Sequence, residues 1–258
     1  MTLFPLESRP ILQTQVHITN YKNACDYILH WLSINKYGYI VAANVHVVMT
    51  GYWRADYQKI LDQALLVTPD GMPLVWGLRI LGIQKQTRVY GPDLMLACCK
   101  RCELMGIPIF LYGGTISTLD KLQKNLISTF PKLIVAGMLS PPFHPLSAQE
   151  EDILCQKIIA SGAKIVFVGL GCPKQEQWMS RQQGKLDAIL LGVGAAFRFH
   201  AQEVSQAPRW VMSLGLEWFY RFLMEPRRLW KRYLINNPVF LLLFTKQLVM
   251  RKFLPWRS

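Results

Sequence analysis

Asp70 stands where an α/β protein would place a general base. It follows an apolar run, Leu65 to Thr68, and precedes Gly71 and a helix opened by Pro73. In an open parallel sheet, ligands bind beyond the carboxyl ends of the strands, so a carboxylate lifted into that crevice by a glycine turn can act as a general base. The same residue at the same spacing also fits a plain helix cap. A second stretch with chemical potential runs from Ala163 to Trp178, AKIVFVGLGCPKQEQW. Its apolar strand, Lys164 to Val168, meets Gly169 and Gly171, and Pro173 is expected at the first position of a helix beginning Lys174, Gln175, Glu176. Backbone N–H groups and a helix dipole converge at such a turn and suit an anion, although any strand-to-helix turn of an α/β protein shares the outline. Asn44 and Gly113 to Thr115 close two further strands with polar or glycine residues. Arg88, in the loop Thr87 to Asp93, is a fixed cation able to pair with phosphate or orient Asp70, or else a surface arginine.

Several chemistries lack their residues. The sequence contains no Asp-x-Asp, HExxH, GxxxxGK or GxSxG. Metal-held nucleotide-sugar diphosphates, zinc proteolysis, P-loop ATP chemistry and the hydrolase elbow all lose ground. One Cys-x-x-Cys spacing, Cys99 to Cys102, has no second pair, so a zinc site is not expected and the six cysteines read as buried free thiols.

The elements that would position these residues follow from periodicity. Apolar strands are expected at Tyr39 to Ala43, Leu65 to Thr68, Ile107 to Tyr112, Leu133 to Gly137, Lys164 to Val168 and Asp187 to Gly192. Helices are expected between them, at Tyr21 to Asn35, Val45 to Leu61, Pro73 to Leu81, Leu94 to Met105, Thr118 to Phe130 and, after the loop SPPFHPLS, Ala148 to Ser161. Near-continuous apolar strands alternating with helices predict an α/β fold with a mostly parallel, Rossmann-like sheet covered on both faces.

The chain has 258 residues, 51% of them hydrophobic, which is enough for one large core. Its net charge of +13 is uneven: from Arg209 to Ser258 ten Lys or Arg face two Glu, a net of +8. Composition changes at Gln206, so residues 1–205 are read as the α/β catalytic domain and 206–258 as a basic, aromatic-rich helical appendage. Its aromatic residues favour an anionic membrane surface over nucleic acid, and no nucleic-acid module is visible. Its bland alternative is a terminal helix docked on the sheet. The start lacks a signal-peptide pattern and no apolar run reaches the roughly 18 residues of a membrane span, so a cytoplasmic, peripheral protein is expected.

Five ordered motifs add a family to this reading: PDGMPLVW (Pro69 to Trp76), RVYGPDL (Arg88 to Leu94), GLGCPKQEQW (Gly169 to Trp178), GVGAAF (Gly192 to Phe197), and QAPRW followed by GLEWFYRFLMEPRR (Gly215 to Arg228). Together, over roughly Tyr39 to Phe240, they resemble the WecG/TagA/CpsF glycosyltransferases, glycosyltransferase family 26. The resemblance implies an inverting, metal-independent transfer of an N-acetylmannosamine-type sugar from a UDP-sugar to a polyprenyl-diphosphate-linked acceptor at the inner membrane face, in cell-surface polysaccharide synthesis. It implies no cofactor. Asp70 matches the proposed base and Arg88 the arginine of its loop. Asn44, Gly71, Gly169, Gly171, Lys174 and Gln175 are taken as substrate-binding, together with Arg221, Arg228 and Lys231 of an appendage thought to close over the site. A homo-oligomer is compatible with the sequence. Three positions depart from the family pattern: Ala42 replaces a common Thr, Arg198 a common Asp, and Lys231 a common Arg. Altered sugar specificity, or a non-catalytic nucleotide-sugar or lipid-binding relative, is the alternative those departures raise.

Overall fold

The computed structural model describes residues 5–253 apart from 143 and 145; Phe143 and Pro145 of the SPPFHPLS loop therefore lie outside the described residues. The chain opens with strands β1 (Ser8–Ile11) and β2 (Thr14–His17), then α1 (Tyr21–Ser33), β3 (Gly38–Ala43), α2 (Val45–Trp53), α3 (Ala55–Asp62), β4 (Leu66–Pro69) and α4 (Met72–Ile80). It continues through α5 (Gly91–Met105), β5 (Ile109–Tyr112), α6 (Ile116–Thr129), β6 (Val135–Leu139), α7 (Ala148–Ala160), β7 (Ile165–Val168), α8 (Lys174–Gln182) and β8 (Ile189–Gly192). The remainder is helical: α9 (Ala196–His200), α10 (Arg209–Ser213), α11 (Glu217–Met224), α12 (Pro226–Trp230), a π-turn over Lys231–Ile235 and α13 (Asn236–Phe253).

Six strands form one parallel sheet in the order β4-β3-β8-β7-β5-β6. Both faces are buried, and successive side chains feed them alternately. Tyr39, Val41, Val166, Val168 and Leu190 enter one core, while Ile40, Ile165, Phe167, Ile189 and Leu191 enter the other. The connection from β7 leads to one side and that from β5 to the other, so the sheet has a switch point between these two strands. A crevice opens there in such folds.

Three expectations need correction, and the segment before α1, for which no element was expected, is a β-hairpin, β1 against β2, turned by Leu12 at φ 54°; it is tied to a remote helix, since Gln247 of α13 donates to the Pro10 carbonyl at 2.8 Å and accepts from the Leu12 N–H at 2.8 Å. The single helix expected from Val45 to Leu61 is two, because Arg54 is extended (φ −132°, ψ 105°). Helix α5 starts at Gly91 rather than Leu94, with Pro92 in its first turn. Pro173 caps α8 instead of occupying its first helical position, and its carbonyl accepts from Gln177 N–H at 3.2 Å.

The segment after Gln206 reaches the sheet's own core: Phe240 and Phe244 of α13 stack at 5.7 Å and are buried with Val47, Leu74 and Leu78. Val211 and Met212 of α10 pack with Tyr90 and Phe199. The π-turn follows α12 directly, and a wide turn of this kind rotates the side chains that follow relative to a regular helix. Arg232 and Tyr233 on it thereby face the carboxyl end of the sheet. No helix among the described residues is long and apolar enough to cross a membrane.

Candidate active site

Asp70 is fixed at the end of β4 by its backbone. Its N–H and that of Gly71 both donate to the Ala43 carbonyl, at 2.8 and 3.1 Å, which pins the turn to the end of β3. Gly71 is required by close approach: a Cβ there would stand 3.0 Å from the Asn44 Cβ and 3.1 Å from its Cα. The Asp70 side chain does not cap α4, whose N-cap is Gly71 without a side-chain bond. Its Oδ1 turns instead to the first residue of α5 and accepts from Gly91 N–H at 2.8 Å. The dipole of that 15-residue helix favours a negative charge at this end.

Arg88 holds Asp70 from below. Its Nε donates to the Asp70 carbonyl, its Nη2 pairs with Glu217 Oε2 at 2.6 Å, and its guanidinium lies 4.0 Å over the Tyr90 ring. Tyr90 donates its hydroxyl to Glu217 Oε1 at 3.0 Å, and Arg221 stands 4.0 Å from the same oxygen. Burial raises the Asp70 carboxyl above the ordinary carboxylate range; Arg88 opposes the shift, Glu217 adds to it, and the Gly91 N–H and Arg221 oppose it. A carboxylate displaced toward neutrality in this way is better matched to accepting a proton at physiological pH.

Asp70 lines a chamber of about 70 Å³, roofed by Trp218, Arg221, Arg232 and Tyr233 of the C-terminal helices. Beside it opens a cleft of about 820 Å³ at the switch point of the sheet. Gly169 and Gly171 form its floor with Gly114 and Thr115. Gly113 makes that floor possible, because at φ +124° a Cβ would stand 2.8 Å from the Gly169 carbonyl carbon. Gly113→Ala should therefore cost on the order of 1–3 kcal/mol, as overpacking against backbone does, read as a lower denaturation midpoint at unchanged slope.

The cleft is cationic. Arg198, Arg221, Arg228, Lys231 and Arg232 line it against one carboxylate, Glu203. Arg198 and Arg228 share Glu225, at 3.1 and 2.6 Å. Arg198, at the position where the resemblance implied an acid, thus adds a positive charge to the wall. Ala42 stands beside Thr68 in the parallel register, and the buried Thr68 hydroxyl has no hydrogen-bond partner among the described residues.

The structure brings Asn44, Gly71, Asp70, Arg88 and Arg221 to the chamber, and Gly169, Gly171, Arg221, Arg228 and Lys231 to the cleft. Asn44 spends its side-chain oxygen capping α2, accepting from His46 N–H at 3.1 Å and Val47 N–H at 3.4 Å, and also accepts from Arg232 at 3.2 Å. Two expected residues line neither space. Lys174 is exposed on α8. Gln175 is buried, accepting from Gly171 N–H at 3.1 Å and donating to the buried Glu176 at 2.8 Å, so it shapes the glycine turn from behind. Sequence reasoning passed over Arg232, His46 and Glu217. The signal for Glu217 was present: a carboxylate inside a strongly basic segment marks a partner for a buried arginine. Among the described residues, no group of three or more His, Cys, Asp or Glu could hold a metal ion.

The family model described as Glycosyl transferase WecG/TagA/CpsF family matches residues 9–253. The chain is similar to the N-acetylglucosaminyldiphosphoundecaprenol N-acetyl-beta-D-mannosaminyltransferase of Bacillus subtilis (strain 168), 27% identical over 237 residues that cover 89% of this chain and 88% of the relative. It is 28% identical over 205 residues to the protein of the same name in Bacillus spizizenii (strain ATCC 23059 / NRRL B-14472 / W23), covering 79% of this chain and 77% of that one.

Proposed function

Because the chain belongs to the WecG/TagA/CpsF glycosyltransferase family, we propose that it transfers an N-acetylhexosamine-type sugar from a UDP-sugar to a polyprenyl-diphosphate-linked sugar, with inversion at the anomeric carbon. The names of the two Bacillus relatives support the acceptor and the sugar. The observation that carries the reading is the adjacency of the Asp70 chamber to the cationic cleft: His46, Arg221 and Arg232 line both.

That adjacency suits a displacement from opposite faces. The donor diphosphate lies in the cleft on the Gly169–Gly171 floor, and the acceptor hydroxyl lies against Asp70. The acceptor oxygen bonds to the anomeric carbon as the bond from that carbon to the diphosphate oxygen breaks. Asp70 takes the hydroxyl proton, and UDP departs with the bonding pair. The arginines of the cleft balance the charge that develops on the leaving group, a preorganised electrostatic role that this reading assigns to them in place of a metal.

The reading places the enzyme on an anionic membrane surface, at the inner face of the plasma membrane. In support, Trp210, Leu214, Phe219, Leu223, Trp230 and Leu234 are exposed on the same C-terminal segment that supplies the arginines. An apolar surface of this kind, flanked by cations, fits a lipid interface.

A panel of UDP-sugars offered with a short-chain polyprenyl-diphosphate-N-acetylglucosamine, with products weighed by mass spectrometry, tests the proposal. One N-acetylhexosamine added to the acceptor, with UDP released, is the expected product. UDP affinity without any turnover would identify a binding protein instead.

A further inference from the structure

We propose that His46 reads the transferred sugar, donating a hydrogen bond from Nε2 to a hydroxyl or acetamido oxygen of the donor at the junction of the chamber and the cleft. The inference rests on the transfer reading given above and extends it to a residue that none of the five motifs contains.

The position follows from the stereochemistry of displacement. If the acceptor oxygen approaches from Asp70 and the diphosphate leaves into the cleft, the ring that changes hands must occupy the passage between them. Three residues line both spaces: His46, Arg221 and Arg232. Two are cations, suited to the phosphates. The substituents of a neutral sugar call for a neutral, directional donor, because a hydroxyl or an amide oxygen is recognised by hydrogen-bond geometry rather than by net charge.

His46 is built for that task. It is the second residue of α2, two after the Asn44 cap, and its N–H donates to Asn44 Oδ1 at 3.1 Å, so its backbone is fixed to the end of β3. The Asn236 amide nitrogen, at the start of α13, stands 3.1 Å from Nδ1 and donates to it. With Nδ1 accepting, the ring proton resides on Nε2, and the tautomer is set. Burial and the neighbouring Arg232 pull the His46 value down to about 4, which keeps the ring neutral at physiological pH. The charged groups that line the chamber with it are Asp70 from β4's turn, Arg88 from its loop, and Glu217, Arg221 and Arg232 from the C-terminal segment. The ring therefore presents one oriented N–H where the sugar passes, held from two elements far apart in sequence.

The test compares wild type with His46→Leu and His46→Gln, measuring kcat/KM for UDP-N-acetylhexosamine, the Kd of UDP and the thermal midpoint. His46→Leu should lower kcat/KM about 10-fold, the size of one lost hydrogen bond of about 1.4 kcal/mol, while UDP affinity stays within about twofold. His46→Gln, which retains an amide donor, should recover most of the loss. A leucine variant with wild-type kcat/KM overturns the inference, as does an equal loss in UDP affinity, or a glutamine variant no better than leucine. Wild type that transfers no sugar from any UDP donor overturns the transfer reading and this inference with it; wild type that transfers while leucine matches it overturns the inference alone.

Discussion

Asp70→Asn is expected to lower kcat for transfer by about 10²- to 10⁴-fold, the range for loss of a positioned general base, while the protein should become no less stable at neutral pH. The amide can keep the 2.8 Å bond from Gly91 N–H through its Oδ1, so the turn is retained. The sign of the stability change follows from the raised carboxyl. A group whose folded value lies above its unfolded one binds its proton more tightly in the folded state. Its favourable contribution is complete below the unfolded value, near 3.9 for Asp, and is lost as pH rises through the folded value. At pH 7 the buried charge is a net cost, and asparagine removes it. Single-turnover transfer and a thermal melt on the same preparation check both halves; a variant that loses activity only because it unfolds contradicts the account.

Glu217→Ala should be the most destabilising single substitution in the site, by about 3–5 kcal/mol, the cost of leaving the partner of a buried ion pair uncompensated. The Arg88 and Glu217 side chains are only 16% and 9% exposed, so solvent screens the pair weakly. Glu217 also takes the Tyr90 hydroxyl at 3.0 Å, and among the described residues its pair with Arg88 is the one salt bridge that joins α11 to the Arg88 loop. Its loss frees the roof of the chamber from the loop whose Arg88 holds the Asp70 carbonyl. The double variant Arg88→Met, Glu217→Leu should recover most of the stability, since apolar side chains of similar volume can replace a buried pair. Transfer should stay low in the double variant, because the carbonyl of Asp70 loses its Arg88 donor. Urea denaturation midpoints of the three proteins, compared with their kcat values, separate the structural from the chemical role.

Much of the sheet was legible because its strands obey a simple rule. Runs such as Ile165 to Val168 are apolar without interruption, which a strand buried on both faces demands, and each is followed by a glycine or polar turn. The order of the strands was not legible, and with it the juxtaposition of Gly113 and Gly169, which depends on β5 and β7 being neighbours though 52 residues intervene between Tyr112 and Ile165. The hairpin at Ser8 to His17 escaped because its partner is Gln247, so nothing local announces it. The break at Arg54 escaped for a related reason: Val45 to Leu61 has helical spacing on both sides, and one extended residue leaves no mark in composition.

The site divides along the same line. Asp70, Arg88 and Gly71 sit on short turns whose residue types declare themselves. A polar residue after a glycine turn, such as Gln175, looks available for substrate, and only the packing shows its amide turned inward to Gly171 and Glu176. His46 and Arg232 meet across 185 residues of chain, and the π-turn that aims Arg232 has no sequence pattern of its own.

The pH dependence of single-turnover transfer tests the central claim most directly, that the C-terminal helices bury Asp70 beside a cationic cleft and so prepare it as the base. The account predicts that the wild-type rate falls on the acid side with a midpoint above about 3.9, the value of a free Asp side chain, and that Asp70→Asn loses this limb together with most of the rate. A wild-type rate that stays flat through that range, or an acid limb that persists unchanged in Asp70→Asn, contradicts it.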